Sequence, residues 1–341
     1  MTRAALIVQP ARHHSGASGY HQLANQLIAR GEAVECVHGF PRRGAWRLAE
    51  PLVKRSGLRW YGAEACLTEF WAAALASWRR PVLHFLQGEN GYRYAGLIPG
   101  NPRRRLVATL HLPPSCFGDY VGTTVHLERL DAVVLVARNQ LAIVDGLRRS
   151  PATFVVPHGI DTDFFRPVGL PVGDAPCLMV GQWLRDLPVL RETVRHVRSA
   201  RPETRFVLVL PAEQVSAWRG VAGVEVRSCL DDAALLETYR NAALLVMPLL
   251  DCTANNSLLE AMACGLPSVA SDVGGIRDYV DPDCARLVPA GKPDVMAEAV
   301  LDLLRDPAAR EAMGRAARQK AETFAWPRVV QQILSVYEAV Q

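Results

Sequence analysis

Apolar side chains come along this chain in short runs, separated by stretches in which they recur at helical spacing. Runs over residues 4–8, 33–37, 81–86, 106–110, 132–136 and 153–156 have the length of strands and lack polar alternation, as strands buried on both faces do. Between the first two, Leu23, Ala24, Leu27 and Ile28 repeat with a helical period over 20–29, and Gly31 suits the helix end. The pattern then starts again. Runs over 177–181, 205–210, 224–227, 244–247 and 268–270 predict a second set of strands, and 191–200 reads as a helix. Strands alternating with helices predict parallel sheets covered on both faces. Residues 157–176, with Pro157, Pro167, Pro171 and Pro176, read as a linker. Two α/β units in tandem are therefore expected, with a cleft between them and ligands at the carboxyl ends of strands. A helical tail from 307 to the end is interrupted at Phe324-Ala325-Trp326-Pro327.

Composition agrees with this and adds a compartment. A chain of 341 residues that is 50% hydrophobic and 21% charged has enough length for two ordinary cores. Its eight cysteines are scattered, with no C-x-x-C pair and no metal-ligand spacing, which predicts free thiols in a reducing compartment and no metal. Leu6-Ile7-Val8 is too short for the apolar core of a signal peptide, and no run reaches the roughly 20 residues of a membrane span. A cytoplasmic location is expected. Charge is uneven. Residues 1–165 carry 19 basic against 12 acidic residues, and the remainder 19 against 22. The basic half predicts contact with an acidic partner, a phosphate or an anionic lipid surface at the inner membrane face; uneven surface charge without a role is the plainer reading. Arginines are not interleaved with aromatics in a readable motif, so a nucleic-acid partner is not expected.

Candidate chemistry concentrates between Asn255 and Gly275. Asn255, Asn256 and Ser257 supply capping side chains, residues 257–264 read as a short helix, and Gly265 and Pro267 end it. Glu260 falls one turn in, and the helix start offers amides to an anion or to sugar hydroxyls. Gly274-Gly275 permits close approach of backbone to a ligand.

The run Glu260-Ala261-Met262-Ala263-Cys264-Gly265-Leu266-Pro267 resembles the donor-site signature of glycosyltransferase family 4. That resemblance extends over nearly the whole chain and implies the GT-B fold. Residues 1–160 would form a Rossmann-like acceptor-binding domain and 161–323 a Rossmann-like donor domain. Residues 324–341 would be a closing helix packed on the first domain. It also implies that Glu260 holds the ribose hydroxyls of a nucleoside diphosphate sugar. The family's first acid, eight positions earlier, is replaced by Cys252. Asp251 is the nearest carboxylate, and with Asn255 and Asn256 it either reads the donor sugar or simply caps the turn and the helix. Val180-Gly181-Gln182-Trp183-Leu184-Arg185-Asp186 stands where the family has an arginine and a lysine on the donor phosphates; here Arg185 is the one cation, for the phosphates or for an ion pair with Asp186. Ser15-Gly16-Ala17-Ser18-Gly19 resembles the family's glycine loop, which puts Gly16, Ala17 and Ser18 at the donor. His111, after the strand over 106–110, matches a histidine beside the transferred sugar. Leu230 marks the segment that holds the base. His13, His14 and His84 are candidates for the acceptor pocket. Pro157-His158-Gly159-Ile160-Asp161 is similar to the segment joining the domains.

The resemblance implies sugar transfer with retention, without a metal or other cofactor, the nucleotide sugar serving as co-substrate and the acceptor unspecified. The catalytic set would be His111, Glu260 and Arg185. Two alternatives stay open: a nucleotide-sugar-binding subunit without catalysis, favoured by the missing acid and lysine, and an epimerase of the same fold.

Overall fold

A computed structural model describes residues 4–8, 16–37, 46–169 and 174–341. The chain divides into two compact units. The first runs to Gly159 and takes up Trp326–Gln341; the second is built on Ile160–Ala325.

The first unit has a six-stranded parallel sheet: β1 (Ala4–Ile7), β2 (Val34–Val37), β3 (Val82–Phe85), β4 (Arg105–Leu110), β5 (Ala132–Leu135) and β6 (Ala152–Val155), in the order β2-β1-β3-β4-β5-β6. β1, β3 and β5 are buried along their whole length, which is why their sequences read as unbroken apolar runs. The helix Gln22–Ala29 follows β1, burying Leu23, Ala24 and Leu27. The C-terminal helix Trp326–Ala339 belongs to this same unit. Its buried stripe of Trp326, Val329, Val330, Ile333, Val336 and Tyr337 joins Leu6, Leu27, Val82, Val107 and Val134 in one core.

The second unit repeats the design with β7 (Cys177–Val180), β8 (Phe206–Val209), β9 (Val224–Arg227), β10 (Leu244–Met247), β11 (Ser268–Ser271) and β12 (Ala285–Val288), all parallel, in the order β12-β11-β10-β7-β8-β9. The helix Leu187–Ala200 starts earlier than its apolar period predicts. Asp186 caps it, its Oδ1 accepting the Val189 N–H at 3.1 Å, and Pro188 is tolerated in the first turn. The helical tail expected from 307 is the helix Pro307–Thr323, a break at Phe324 and the helix Trp326–Ala339, with a further helix, Pro293–Arg305, ahead of it. Gly314 of Pro307–Thr323 meets Gly265 so closely that a Cβ would stand 2.3 Å from the Gly265 carbonyl oxygen.

In both sheets the strand order reverses beside the first strand, between β1 and β3 and between β7 and β10. Loops leaving the carboxyl ends of such neighbours diverge and leave a crevice for a ligand.

Candidate functional site

In the second unit the crevice is framed by the loop after β7 and the loop after β10. The two are sewn together: Asp186 donates its N–H to the Pro248 carbonyl at 3.0 Å and Leu250 to that of Leu184 at 2.9 Å. Leu184 holds φ 54° and Gly181 φ +83°. A leucine in the left-handed region carries a cost that its surroundings must offset, a feature that clusters at ligand loops. The other non-glycine residue of this kind among those described is Cys229 (φ 55°), next to the half-buried Leu230 in the loop after β9.

The helix Asn256–Ala263 stands over this crevice. Asn255 is its cap, Oδ1 accepting the Leu258 N–H at 3.2 Å; Asn256 and Ser257, expected to cap as well, are the first residues of the helix itself. Glu260 is buried under the helix, and the Tyr239 hydroxyl donates to its Oε2 at 2.7 Å. Tyr239, on the helix Asp232–Arg240, was not expected at the site; in sequence it reads as one more apolar position of that helix. Burial, then the adjacent Glu260 charge, raises its hydroxyl well above the usual tyrosine range, so it stays a donor.

Arg185 lies in the loop where the family resemblance puts a phosphate ligand, yet its guanidinium is committed inward. Nε and Nη2 donate to the Val180 carbonyl at 3.1 and 2.8 Å, and Nη1 to that of Trp183 at 3.0 Å. Nη2 also reaches Asn255 Oδ1 at 3.3 Å and Ser257 Oγ at 3.4 Å. It is 8% exposed. Burial lowers its pKa to about 10, opposed by the Tyr239, Cys252 and Glu260 groups facing it, so it remains a cation at neutral pH. The expectation of an open phosphate-binding arginine is thereby corrected. Arg185 pins the start of the helix to the loop after β7, and its charge acts through that scaffold. Nor does Asp186 pair with it, since that carboxylate is the cap of Leu187–Ala200.

The far end of the same helix is held as firmly. Nη1 of Arg318 donates to the carbonyls of Ala263, Phe165 and Thr162 at 2.8, 2.8 and 3.0 Å. Cys252, in the place of the family's first acid, is buried, with its thiol toward the Val273 carbonyl at 3.5 Å. Asp251 Oδ1 accepts the Cys252 N–H at 2.7 Å, and Gly275 donates to the Cys252 carbonyl at 2.8 Å. Asp251, Asn255, Asn256, Ser257, Glu260 and Arg185 are thus brought to one crevice. Gly274 is what lets the loop after β11 meet the loop after β10: it has φ +55°, and a Cβ there would lie 2.2 Å from both Asp251 Oδ1 and the Cys252 oxygen.

In the first unit, His111 leaves the carboxyl end of β4. Its ring stacks on Tyr20, with centroids 3.6 Å apart, and Nε2 donates to the Leu86 carbonyl at 2.8 Å, so the proton sits on Nε2. Its backbone N–H and that of Leu112 are both received by Glu89 Oε1, a buried carboxyl on the turn after β3. His158 packs edge-on to the same Tyr20. Tyr20, His111, His158 and Trp326 line one pocket. Gly16 and Ala17 form a turn and Ser18 is buried, ahead of the helix Gln22–Ala29. His13 and His14 lie outside the described residues.

His84 faces the interior of the first unit. It is fully buried in β3, with Nδ1 2.7 Å from the Tyr337 hydroxyl and Nε2 2.7 Å from Thr109 Oγ1. Nδ1 ties the C-terminal helix to the sheet and Nε2 ties β3 to β4, which corrects its reading as an acceptor contact. Among the described residues no cluster of three or more His, Cys, Asp or Glu is placed to hold a metal ion. No helix among them is long and apolar enough to cross a membrane.

Comparison with known proteins shows what this chain is similar to. Residues 177–306 match the family model described as Glycosyl transferases group 1. The D-inositol 3-phosphate glycosyltransferase of Streptomyces avermitilis is 27% identical over 301 residues, covering 79% of this chain and 62% of that protein. The MMP alpha-(1->4)-mannosyltransferase of Mycolicibacterium hassiacum is 31% identical over 202 residues, 54% of this chain and 47% of its own. The chain thus spans less than two thirds of the length of these curated relatives. Among solved structures, sucrose-phosphate synthase from Thermosynechococcus elongatus superposes with a TM-score of 0.75 at 20% identity, over 100% of this chain and 99% of that one. Anabaena Alr3699/HepE in complex with UDP-glucose gives 0.72 at 16%, over 99% and 100%. The fold is GT-B, as the sequence resemblance implied.

Proposed function

We propose that this chain, whose residues 177–306 match the model described as Glycosyl transferases group 1, moves a sugar from a nucleoside diphosphate sugar to a hydroxyl acceptor. The observation that carries the reading is Glu260. It is a buried carboxylate one turn into a capped helix, at the strand-order reversal of the second sheet, oriented by Tyr239. A carboxylate is the natural acceptor for a vicinal diol, so Glu260 takes the ribose hydroxyls. The adjoining helix start and the glycines at 181 and 274 offer backbone N–H groups to the diphosphate. Arg185, a cation buried behind the helix start, adds a fixed positive field that favours charge developing on the leaving diphosphate. The UDP-glucose bound by the Anabaena neighbour supports a donor of this class.

In this reading the anomeric C–O bond to the diphosphate breaks and the acceptor oxygen bonds to the same face of the sugar. The acceptor's proton passes to the departing phosphate oxygen, so configuration is retained and no metal is needed. A second reading, nucleotide-sugar binding without transfer, is favoured by one observation: a buried thiol, Cys252, fills the place of the first acid. The test is to incubate the full chain with a panel of nucleoside diphosphate sugars and acceptors and follow nucleoside diphosphate release. Product with the donor's anomeric configuration is the expected result. Saturable donor binding with no acceptor-dependent release decides for the second reading, and an isomerised donor formed without acceptor decides for an epimerase.

A further inference from the structure

Two buried side chains, Glu89 and Gln140, converge on the segment that carries His111. Glu89 Oε1 receives the N–H of Leu112 at 2.7 Å and that of His111. Gln140 Nε2 donates to the carbonyls of Leu110 and Leu112, both at 3.0 Å. The other end of the same amide, Oε1, accepts the N–H groups of Val136 and Ala137 at 2.8 and 3.0 Å. Glu89 comes from the turn after β3 and Gln140 from the turn Arg138–Gln140 after β5. The exit of β4 is therefore clamped to the exits of both its neighbours in the sheet.

The residues around Glu89 are fitted to this reach. A Cβ on Gly88 would stand 2.9 Å from Leu110 Cδ2, 3.0 Å from the Thr109 carbonyl oxygen and 3.1 Å from the Ala108 Cβ. A residue without a side chain lets the turn lie against β4. Gln140 donates twice and accepts twice, which uses both protons and both lone pairs of its amide. A buried polar network that is fully paired specifies one local geometry, and one that loses a member is left with costly unpaired groups. The imidazole is held as well: Nε2 donates to the Leu86 carbonyl and one face lies on Tyr20. His111 thus stands at the carboxyl end of β4, one strand from the reversal between β1 and β3, with backbone and ring both immobilised. Such preorganisation is what a group acting on a reacting molecule requires.

We propose that Glu89 and Gln140 are positioning residues for sugar transfer. They act through His111, whose backbone they fix so that its ring keeps one orientation. The proposal rests on the transferase reading given above.

The test is acceptor-dependent release of nucleoside diphosphate by the full chain and by Glu89→Ala, Glu89→Gln and Gln140→Met, each with and without His111→Ala. The substrates are the nucleoside diphosphate sugar and acceptor that turn over fastest in the panel above, and melting temperatures verify that each variant is folded. Glu89→Ala and Gln140→Met should lower kcat about 100-fold, the scale of an ångström-sized misplacement, and leave the donor KM within about twofold. Glu89→Gln keeps an oxygen for the two N–H groups and should stay within about tenfold of the parent. Once His111→Ala has removed the group being positioned, each of these substitutions should cost less than about twofold more. Without substrate, the imidazole 15N spectrum should show a single Nε2-protonated His111 in the parent and a mixture of tautomers in Glu89→Ala and Gln140→Met. Should Glu89→Ala not fold, Gln140→Met and Glu89→Gln decide by the same comparison. Undiminished kcat in Gln140→Met and Glu89→Ala, or equal losses with and without His111, overturns this proposal alone. A parent that releases no nucleoside diphosphate with any pair overturns the transferase reading, and the proposal with it.

Discussion

Replacing Arg185 by methionine separates two roles that its position in sequence leaves entangled. If the guanidinium is a scaffold, as its contacts with Val180, Trp183, Asn255 and Ser257 imply, the variant loses hydrogen bonds to two backbone carbonyls and two side chains. The methionine chain fills much of the volume, so the cost is mainly the acceptors left buried without a donor and the loss of a cation facing Glu260. Removing one partner of a buried charged network costs about 3–5 kcal/mol. In a unit of this size each kcal/mol moves the melting temperature by about 2–4 °C, which predicts a fall of roughly 6–20 °C. Arg185→Lys keeps the charge but puts a single ammonium where a fork spans several acceptors, and should recover no more than about half of the loss. Scanning calorimetry without ligand is the assay. An open phosphate ligand behaves differently: its removal leaves the melting temperature within about 1–2 °C, as at other surface positions, and shows only in nucleotide affinity. A shift that small in the methionine variant refutes the scaffold role.

Other contacts at these sites carry their own consequences. Gly274→Ala places a methyl group against Asp251 Oδ1 and the Cys252 carbonyl at a left-handed φ; the loops must part. We expect a loss of at least about 2 kcal/mol in chemical denaturation together with weakened nucleotide-sugar binding, and retained affinity contradicts a site that needs the two loops in contact. His84 is held neutral by burial, its pKa lowered to about 3. The unfolded chain takes up that proton near 6.5, so His84 costs nothing above that pH. It removes about 1.4 kcal/mol of stability per unit as pH falls from 6.5 toward 3. His84→Gln should therefore lose about 2 kcal/mol less than the parent between pH 6.5 and 5, and equal losses contradict the buried neutral histidine.

Much of this structure was legible in the residues, and the places where it was not share a cause. The strands were plain because both faces of a parallel sheet are covered, which leaves unbroken apolar runs such as Cys177-Leu178-Met179-Val180. Asn255 and Glu260 were readable because a helix start and the acid one turn in are local features. Pairings across long stretches of chain carried no local signal. Tyr239 reaches Glu260 from a neighbouring helix, and Arg318 grips Ala263 from 55 residues away. Arg185 misled for the same reason. Its place in the loop was right, but the acceptors that draw it inward, Asn255 and Ser257, come 70 and 72 positions later. His84 was a candidate for the acceptor pocket; its partner Tyr337 lies at the other end of the chain.

The most direct measurement of the central claim is a calorimetric titration of a nucleoside diphosphate sugar into the full chain and into Glu260→Gln, at a temperature where both are folded. The exchange conserves shape and keeps an oxygen for Tyr239, but replaces a carboxylate that receives two ribose hydroxyls. Hydrogen bonds to a charged group are worth about 1.5–3 kcal/mol each, so the loss of charge at both should raise Kd by at least about tenfold. A Glu260→Gln dissociation constant equal to that of the parent contradicts a donor site centred on this residue.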